Sequence, residues 1–198
     1  GGQYALDLEI NRFRNGTPSA PNVVQSSDLM PTEADGWYGS ATNASYFDNA
    51  DGVWINQTAP TNNSARHYYR TPVPVDGLTF QMEHYSGYNF NVLLSNTAGS
   101  ADRSNGLALT LAPADPNGQL YVFVNGKAID LSDQPEHDPT YPDRINSSKL
   151  LNQGTYTFRF DLNEAGDLTI TINEYSLTLP AAEVKKLTGL TDMNGTYL

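Results

Sequence analysis

The chain has 198 residues, with 22 Asp+Glu against 11 Lys+Arg, a formal net charge of −11 and no cysteine. These values exclude a disulfide framework, a thiolate zinc site and a cysteine nucleophile. They also speak against nucleic acid or an anionic membrane surface as partner, since both select for dense Lys and Arg. No stretch approaches the roughly 20 apolar residues of a membrane span, and no signal-peptide pattern stands in the sequence. Gly1-Gly2-Gln3 reads as a cut end, so localisation rests on composition. Twelve Tyr, few Lys and no Cys read as an exported bacterial domain, secreted or on the cell surface.

The elements are of β type. Leu6, Leu8 and Ile10 alternate with Asp7 and Glu9 as a first strand. A polar, proline-punctuated stretch from about Asn15 to Asn63 follows, with edge strands expected around Tyr46–Phe47 and Val53–Asn56. Trp54 is read as core, and the tract Gly36-Trp37-Tyr38-Gly39 as a polar loop. Leu78–Tyr85 alternates with Leu78, Phe80 and Met82 on one face. A Ser86-Gly87 turn leads to Tyr88–Ser95, whose apolar set is Tyr88, Phe90, Val92 and Leu94. These two strands are expected to be neighbours.

Leu107–Leu111 and Leu120–Val124 form the next pair, ended by Asn125-Gly126, a signal for a turn with positive φ at both positions. Asp130–Asp143 is an acidic, proline-rich loop, with His137 solvated in it. Gly154–Leu162 is a strand whose Tyr156, Phe158 and Phe160 face Leu168, Ile170 and Ile172 across a hairpin closed at Asn163–Gly166. Tyr175, Leu177 and Leu179 continue the alternation. Ala181–Leu187 is the one helical segment, at most two turns, starting at Pro180. Thr196–Leu198 begins one last strand. No repeat of fixed period appears. About ten strands, each with one apolar face, predict an all-β, two-sheet antiparallel sandwich with one short helix near the C-terminal end. It is expected to form one domain over residues 1–198, loop-rich from about 11 to 65.

The run from Val75-Asp76-Gly77-Leu78-Thr79-Phe80 through Asn89–Ser95, Gly106–Leu109, Leu120–Gly126 and Tyr156–Phe160 into Asp167–Asn173 resembles the concanavalin A-like lectin and laminin G-type jelly rolls. The resemblance covers roughly residues 66–198 and is one of pattern. It implies two curved sheets, a concave face and variable rim loops. Its functional implication is mostly sugar binding, sometimes glycoside hydrolysis or lysis, and sometimes protein adhesion, among which fold alone does not choose.

The residues narrow the choice. The E-x-D-x-x-E strand motif of hydrolases in that superfamily is missing. Glu83, with Asp161 or Arg159 from another strand, is the remaining candidate for a glycosidase or lyase, and its plainer reading is a solvated charge or ion pair. No nucleophile elbow accompanies His67, His84 and His137. Ca²⁺ is the one metal considered. Asp48 and Asp51 in Asp48-Asn49-Ala50-Asp51-Gly52 are its first candidates, and Asp130, Asp133, Glu136, Asp138 and Asp143 its second, with Asx turns as the alternative for both.

Sugar recognition needs flat aromatic faces and planar amides, carboxylates and guanidinium groups. Trp37 and Tyr38 supply one cluster, and Gln81, Glu83, Tyr85, Tyr88, Asn89 and Asn91 a second, polar sheet surface to which Arg103 adds a donor fork. Each is also readable as an anchored ring or a solvated sheet face. The expectation is a non-catalytic, lectin-like module, acting as a monomer within a larger multidomain surface protein. Neutral glycans are favoured by the −11 charge unless Ca²⁺ or Arg103 intervenes. An adhesin domain that binds a host protein is the first alternative, and the Glu83 hydrolase or lyase the second.

Overall fold

The computed structural model describes backbone and side chains for residues 75–81, 89–95, 103–113, 117–151 and 154–187, and strand placement for residues 82–84 and for the strands before residue 70. The strands are β1 (Leu8–Ile10), β2 (Phe13–Arg14), β3 (Thr17–Pro18), β4 (Asn22–Gln25), β5 (Trp37–Thr42), β6 (Ser45–Asp48), β7 (Val53–Asn56), β8 (Ser64–Tyr69), β9 (Leu78–His84), β10 (Phe90–Ser95), β11 (Gly106–Ala112), β12 (Gly118–Val124), β13 (Lys127–Ala128), β14 (Ile145–Ser147), β15 (Gly154–Leu162), β16 (Leu168–Ile172) and β17 (Tyr175–Leu179). Among the described residues one α-helix, α1 (Ala181–Val184), follows with Pro180 as its N-cap.

Six strands form one antiparallel sheet in the order β17-β16-β15-β9-β1-β4. The second sheet runs β10-β11-β12-β13, with β14 also paired to β12. β2–β3, β5–β8 and β6–β7 are two-stranded ribbons. The fold is the expected all-β sandwich, and alternation is its cause. β12, β15, β16 and β17 bury every second residue, so each strand gives one face to the interior. Leu107, Leu109, Leu120, Val122, Phe158, Phe160, Ile170 and Leu177 are at most 1% exposed and belong to one apolar cluster fed by both sheets. Aromatic rings tie the two layers together. Phe158 stacks on Phe80 at 4.9 Å within its own sheet, and Phe90 of the other sheet meets Tyr156 edge-on at 5.2 Å and Phe158 at 6.5 Å. Such contacts add about 0.5–1.5 kcal/mol each beyond area burial.

Turn chemistry follows the sequence. Asn125 (φ 49°) and Gly126 (φ 81°) both take left-handed backbone and fold β12 back onto β13. The Asn125 N–H donates to the Gly106 carbonyl at 2.9 Å. Gly106 has its own constraint, since a Cβ there would overlap the Leu94 carbonyl of β10.

Some expected arrangements change. The β15–β16 register sets Phe158 opposite Ile172, Phe160 opposite Ile170 and Leu162 opposite Leu168, so Leu162 takes the place expected for Tyr156. The expected strands at 46–47 and 53–56 pair with each other as β6 and β7. The tract around Trp37 and Tyr38, read as a loop, is the start of β5, with Trp37 opposite Tyr69 and Tyr38 opposite Tyr68. Trp37, Tyr38 and Thr42 are residue types enriched in strands, and Gly36 and Gly39 obscure the strand. The 130–143 loop is packed as well as acidic: Leu131 is fully buried, the Tyr175 hydroxyl donates to the Pro135 carbonyl at 2.8 Å, and His137 is exposed.

The largest change concerns β9 and β10. They are consecutive but lie in different sheets, because β9 pairs with β1 and β15 while β10 pairs with β11. Gln81 alternates with buried Phe80, and Asn91 with buried Val92. They therefore point out of opposite sides of the sandwich, and the single polar surface expected to join them does not form.

Candidate functional site

The outer face of the five-stranded sheet carries an ordered set of side chains that the antiparallel register lays out in rows. One row is apolar: Leu93 opposite Ala108, Ala108 opposite Phe123, and Phe123 opposite Ala128. The next row is mixed: Asn91 opposite Thr110, and Thr110 opposite Tyr121. A third holds Ala112 opposite Gln119 and Gln119 opposite Asn146. Asn89 lies exposed just before β10, in phase with Asn91.

Hydrogen bonds fix the polar members. The Thr110 hydroxyl donates to Asn91 Oδ1 at 2.6 Å, and the Tyr121 hydroxyl donates to Gln119 Oε1 at 3.2 Å. The amide NH₂ groups of Asn91 and Gln119 are on the same side chains, turned to this face.

Two arginines lie on the aromatic rings. The Arg103 guanidinium sits 4.9 Å above the centre of Phe123. It belongs to an exposed 3₁₀ turn, Arg103–Asn105, that leads into β11. The Arg144 guanidinium sits between two rings, 5.2 Å from Tyr121 and 4.2 Å from Tyr141. Each such contact stabilises by about 0.5–1 kcal/mol at exposed sites.

Asp138 builds this arrangement. It is 9% exposed, and its Oδ1 accepts from the Thr140 and Tyr141 N–H groups at 2.8 and 3.2 Å. Its own N–H donates to the Arg144 carbonyl at 2.8 Å. Its Oδ2 lies 3.9 Å from Arg144 Nη1, and the buried Arg144 Nε has no hydrogen-bond partner among the described residues. Tyr141 is 49% exposed, so one of its faces is open beside the arginine.

The opposite outer face, on the six-stranded sheet, is different. Gln81 is exposed and its amide donates to Thr157 Oγ1 at 3.2 Å. Thr169 pairs with Thr178 at 3.1 Å and Thr171 with Ser176 at 3.0 Å. Arg159 forms a two-pronged ion pair with Asp161 at 2.7 and 2.9 Å. Glu83 sits opposite Thr155, four residues along β15 from Arg159 and six from Asp161. That is about 13 Å and 20 Å of strand, so the register does not bring Glu83 to either expected partner.

Of the residues expected in the site, Asn89, Asn91 and Arg103 share the five-stranded face, and Gln81 is on the other side. Trp37, Tyr38, Glu83 and Asp48 are described only as strand positions, while Tyr85, Tyr88 and Asp51 lie outside the described residues, as does the 196–198 strand. The side chain of Trp54 lies outside them too.

The second set of candidate metal ligands is dispersed. Asp130 accepts from the Ser132 N–H at 2.9 Å and Asp138 from its own loop. Glu136 pairs with Lys149 at 2.7 Å. Hydrogen bonds from Ser132 hold the Asp130 carboxyl below its ordinary pKa, and those from Lys149 and Ser147 do the same for Glu136. Among the described residues no three acids or histidines converge on a metal-sized site.

Sequence reasoning missed Tyr121, Phe123, Tyr141 and Arg144. A signal was present: Leu120–Val124 is apolar at every position, which requires the outward Tyr121 and Phe123 either to be covered or to serve binding. No protein-family model, curated protein or solved structure matches this chain.

Proposed function

We propose that the chain is a non-catalytic, lectin-like carbohydrate-binding domain, and that its binding surface is the outer face of the five-stranded sheet. One observation carries the reading. Tyr141 offers an open aromatic face beside the amides of Asn89, Asn91 and Gln119 and two guanidinium groups held over Phe123 and Tyr121 on one face. Rings take the C–H faces of pyranoses, and planar amides and guanidinium groups take hydroxyls in fixed directions. The pattern resemblance to concanavalin A-like jelly rolls supports it, as does an acidic, cysteine-free composition suited to an exported or surface-bound bacterial protein. In this reading the chain is a monomeric module of a larger protein. Ca²⁺ at Asp48 and Asp51 remains part of the proposal and is tested by Ca²⁺ titration.

The experiment is a titration of the ¹⁵N-labelled domain with a panel of soluble oligosaccharides. Amide shifts gathered on β10, β11 and β12 support the reading. An adhesin domain would show no shifts with any sugar and would bind a protein instead. A hydrolase or lyase would release shorter sugars, and Glu83→Gln would stop it.

A further inference from the structure

The five-stranded face of this acidic molecule carries two arginines held over aromatic rings. Lys149 is paired with Glu136, Arg159 with Asp161 and Lys186 with Glu183, each at 2.7 Å. Arg103 and Arg144, like Lys127 and Lys185, are not closed in this way among the described residues, and of these four only the arginines lie over rings. Among the described residues no carboxylate lies within ion-pair distance of Arg103, and the one near Arg144, Asp138, is 3.9 Å away and already accepts two backbone N–H groups. Both arginines sit on the same face, over rings two residues apart on β12. That spacing is about 7 Å along a strand. A guanidinium centred over a ring engages the ring with its face and can offer the terminal N–H groups of its edge to an acceptor. Two such groups on one face suit the planar, two-oxygen geometry of a carboxylate.

We infer that this face recognises an acidic sugar, a uronate whose carboxylate is taken by Arg103 and Arg144 while its ring and hydroxyls meet Tyr141, Asn91 and Gln119. This rests on the carbohydrate-binding reading above and narrows it. The whole-chain charge of −11 favours neutral sugars, but charges beyond about 8 Å are largely screened at physiological salt. A ligand in contact with this face therefore meets the two arginines, and Asp138 already engaged by two backbone N–H groups, before it meets the acids of the far loops.

Calorimetric titration with tetrasaccharides of galacturonate, mannuronate and glucuronate tests the inference, each beside its carboxyl-reduced, neutral counterpart, with dextran sulfate as a polyanion control. The expected result is binding of at least one uronate about tenfold or more tighter than its neutral counterpart. Arg103→Gln is expected to remove most of that difference. Arg103 is exposed on its turn, so this variant tests the idea even where Arg144→Gln fails to fold. Equal binding of the uronate and its neutral form overturns the inference and leaves the carbohydrate reading standing. Binding of no sugar in the panel overturns both. Tighter binding to dextran sulfate than to any uronate, unchanged by Arg103→Gln, also overturns it and marks non-specific attraction of polyanions.

Discussion

The two outer faces of this sandwich are built by the same rule and reach opposite chemical states. On the six-stranded sheet, the outward groups satisfy one another. Thr169 meets Thr178, Thr171 meets Ser176, Gln81 meets Thr157 and Arg159 meets Asp161. On the five-stranded sheet Thr110 likewise meets Asn91 and Tyr121 meets Gln119, but Arg103 on Phe123 and Arg144 between Tyr121 and Tyr141 have no carboxylate closer than 3.9 Å among the described residues. A self-satisfied polar face has little to gain from a ligand, because any new hydrogen bond replaces an existing one. A face with half-used donors over flat rings gains from one. Exposure alone would not separate the two, since both are partly solvated, and hydrogen-bond accounting does.

The largest expected effect breaks both faces together. Phe158 touches Phe80 in its own sheet and Phe90 in the other, so Phe158→Ala leaves a cavity where the layers meet. A loss of about 3–5 kcal/mol is expected in urea unfolding. A loss below about 1 kcal/mol would contradict the shared core.

The next prediction separates the faces. Tyr121→Ala removes the ring beneath Arg144 and the hydroxyl that donates to Gln119, and a loss of about tenfold in oligosaccharide affinity is expected. The paired change Thr169→Val with Thr171→Val empties two hydroxyl contacts on the other face and should leave affinity within about twofold. The comparison fails if the threonine variant is the weaker binder.

How far these faces can be read from sequence depends on which residue is asked. Tyr156, Phe158 and Phe160 against Ile170 and Ile172 are legible because alternation of period two reveals a face directly. The separation of β9 from β10 is not, because alternation says which way a residue points and nothing about which strand pairs with which. Alternation places Gln81 and Asn91 outward, as they are, but cannot tell that they belong to different sheets. Arg144 is invisible for another reason. It lies in the loop after Tyr141-Pro142-Asp143, and only the Asp138 turn, with β14 paired to β12, swings it over Tyr121. Phe123 was hidden by its own strand, where inward and outward positions are equally apolar.

A smaller effect concerns the edge of the self-satisfied sheet. β17 is an edge strand, and there the Gln134 amide takes the place of a neighbouring strand. Its NH₂ donates to the Thr178 carbonyl at 3.0 Å, and its Oε1 accepts from the Thr178 N–H at 2.9 Å. Gln134→Ala should cost about 1–2 kcal/mol and reopen an unpaired edge, which invites pairing between copies. Sedimentation at rising concentration should then show more self-association than the unaltered chain does. Monomeric behaviour of the variant at all concentrations would mean that the clamp does not guard the edge.

The smallest effect tests whether the ion pair on the six-stranded face is part of a balanced set. Asp76 accepts from the Leu162 N–H at 3.0 Å beside Arg159 and Asp161. Burial pushes its pKa up and outweighs the lowering by the Leu162 N–H, with Asp161 pushing further up and Arg159 down. A carboxyl raised in the folded state contributes stability below its ordinary range, and that contribution is lost as pH rises through the raised value. Asp130, Glu136 and Asp167 have the opposite sign: hydrogen bonds hold them low, and their contribution is lost as pH falls. Asp76→Asn keeps the oxygen that Leu162 needs and removes the charge. At pH 7 it should be slightly more stable, and the gain should shrink as pH approaches 4. A variant that is less stable at pH 7 would show that the charge of Asp76 is held by Arg159, so that the ion pair is a three-membered network.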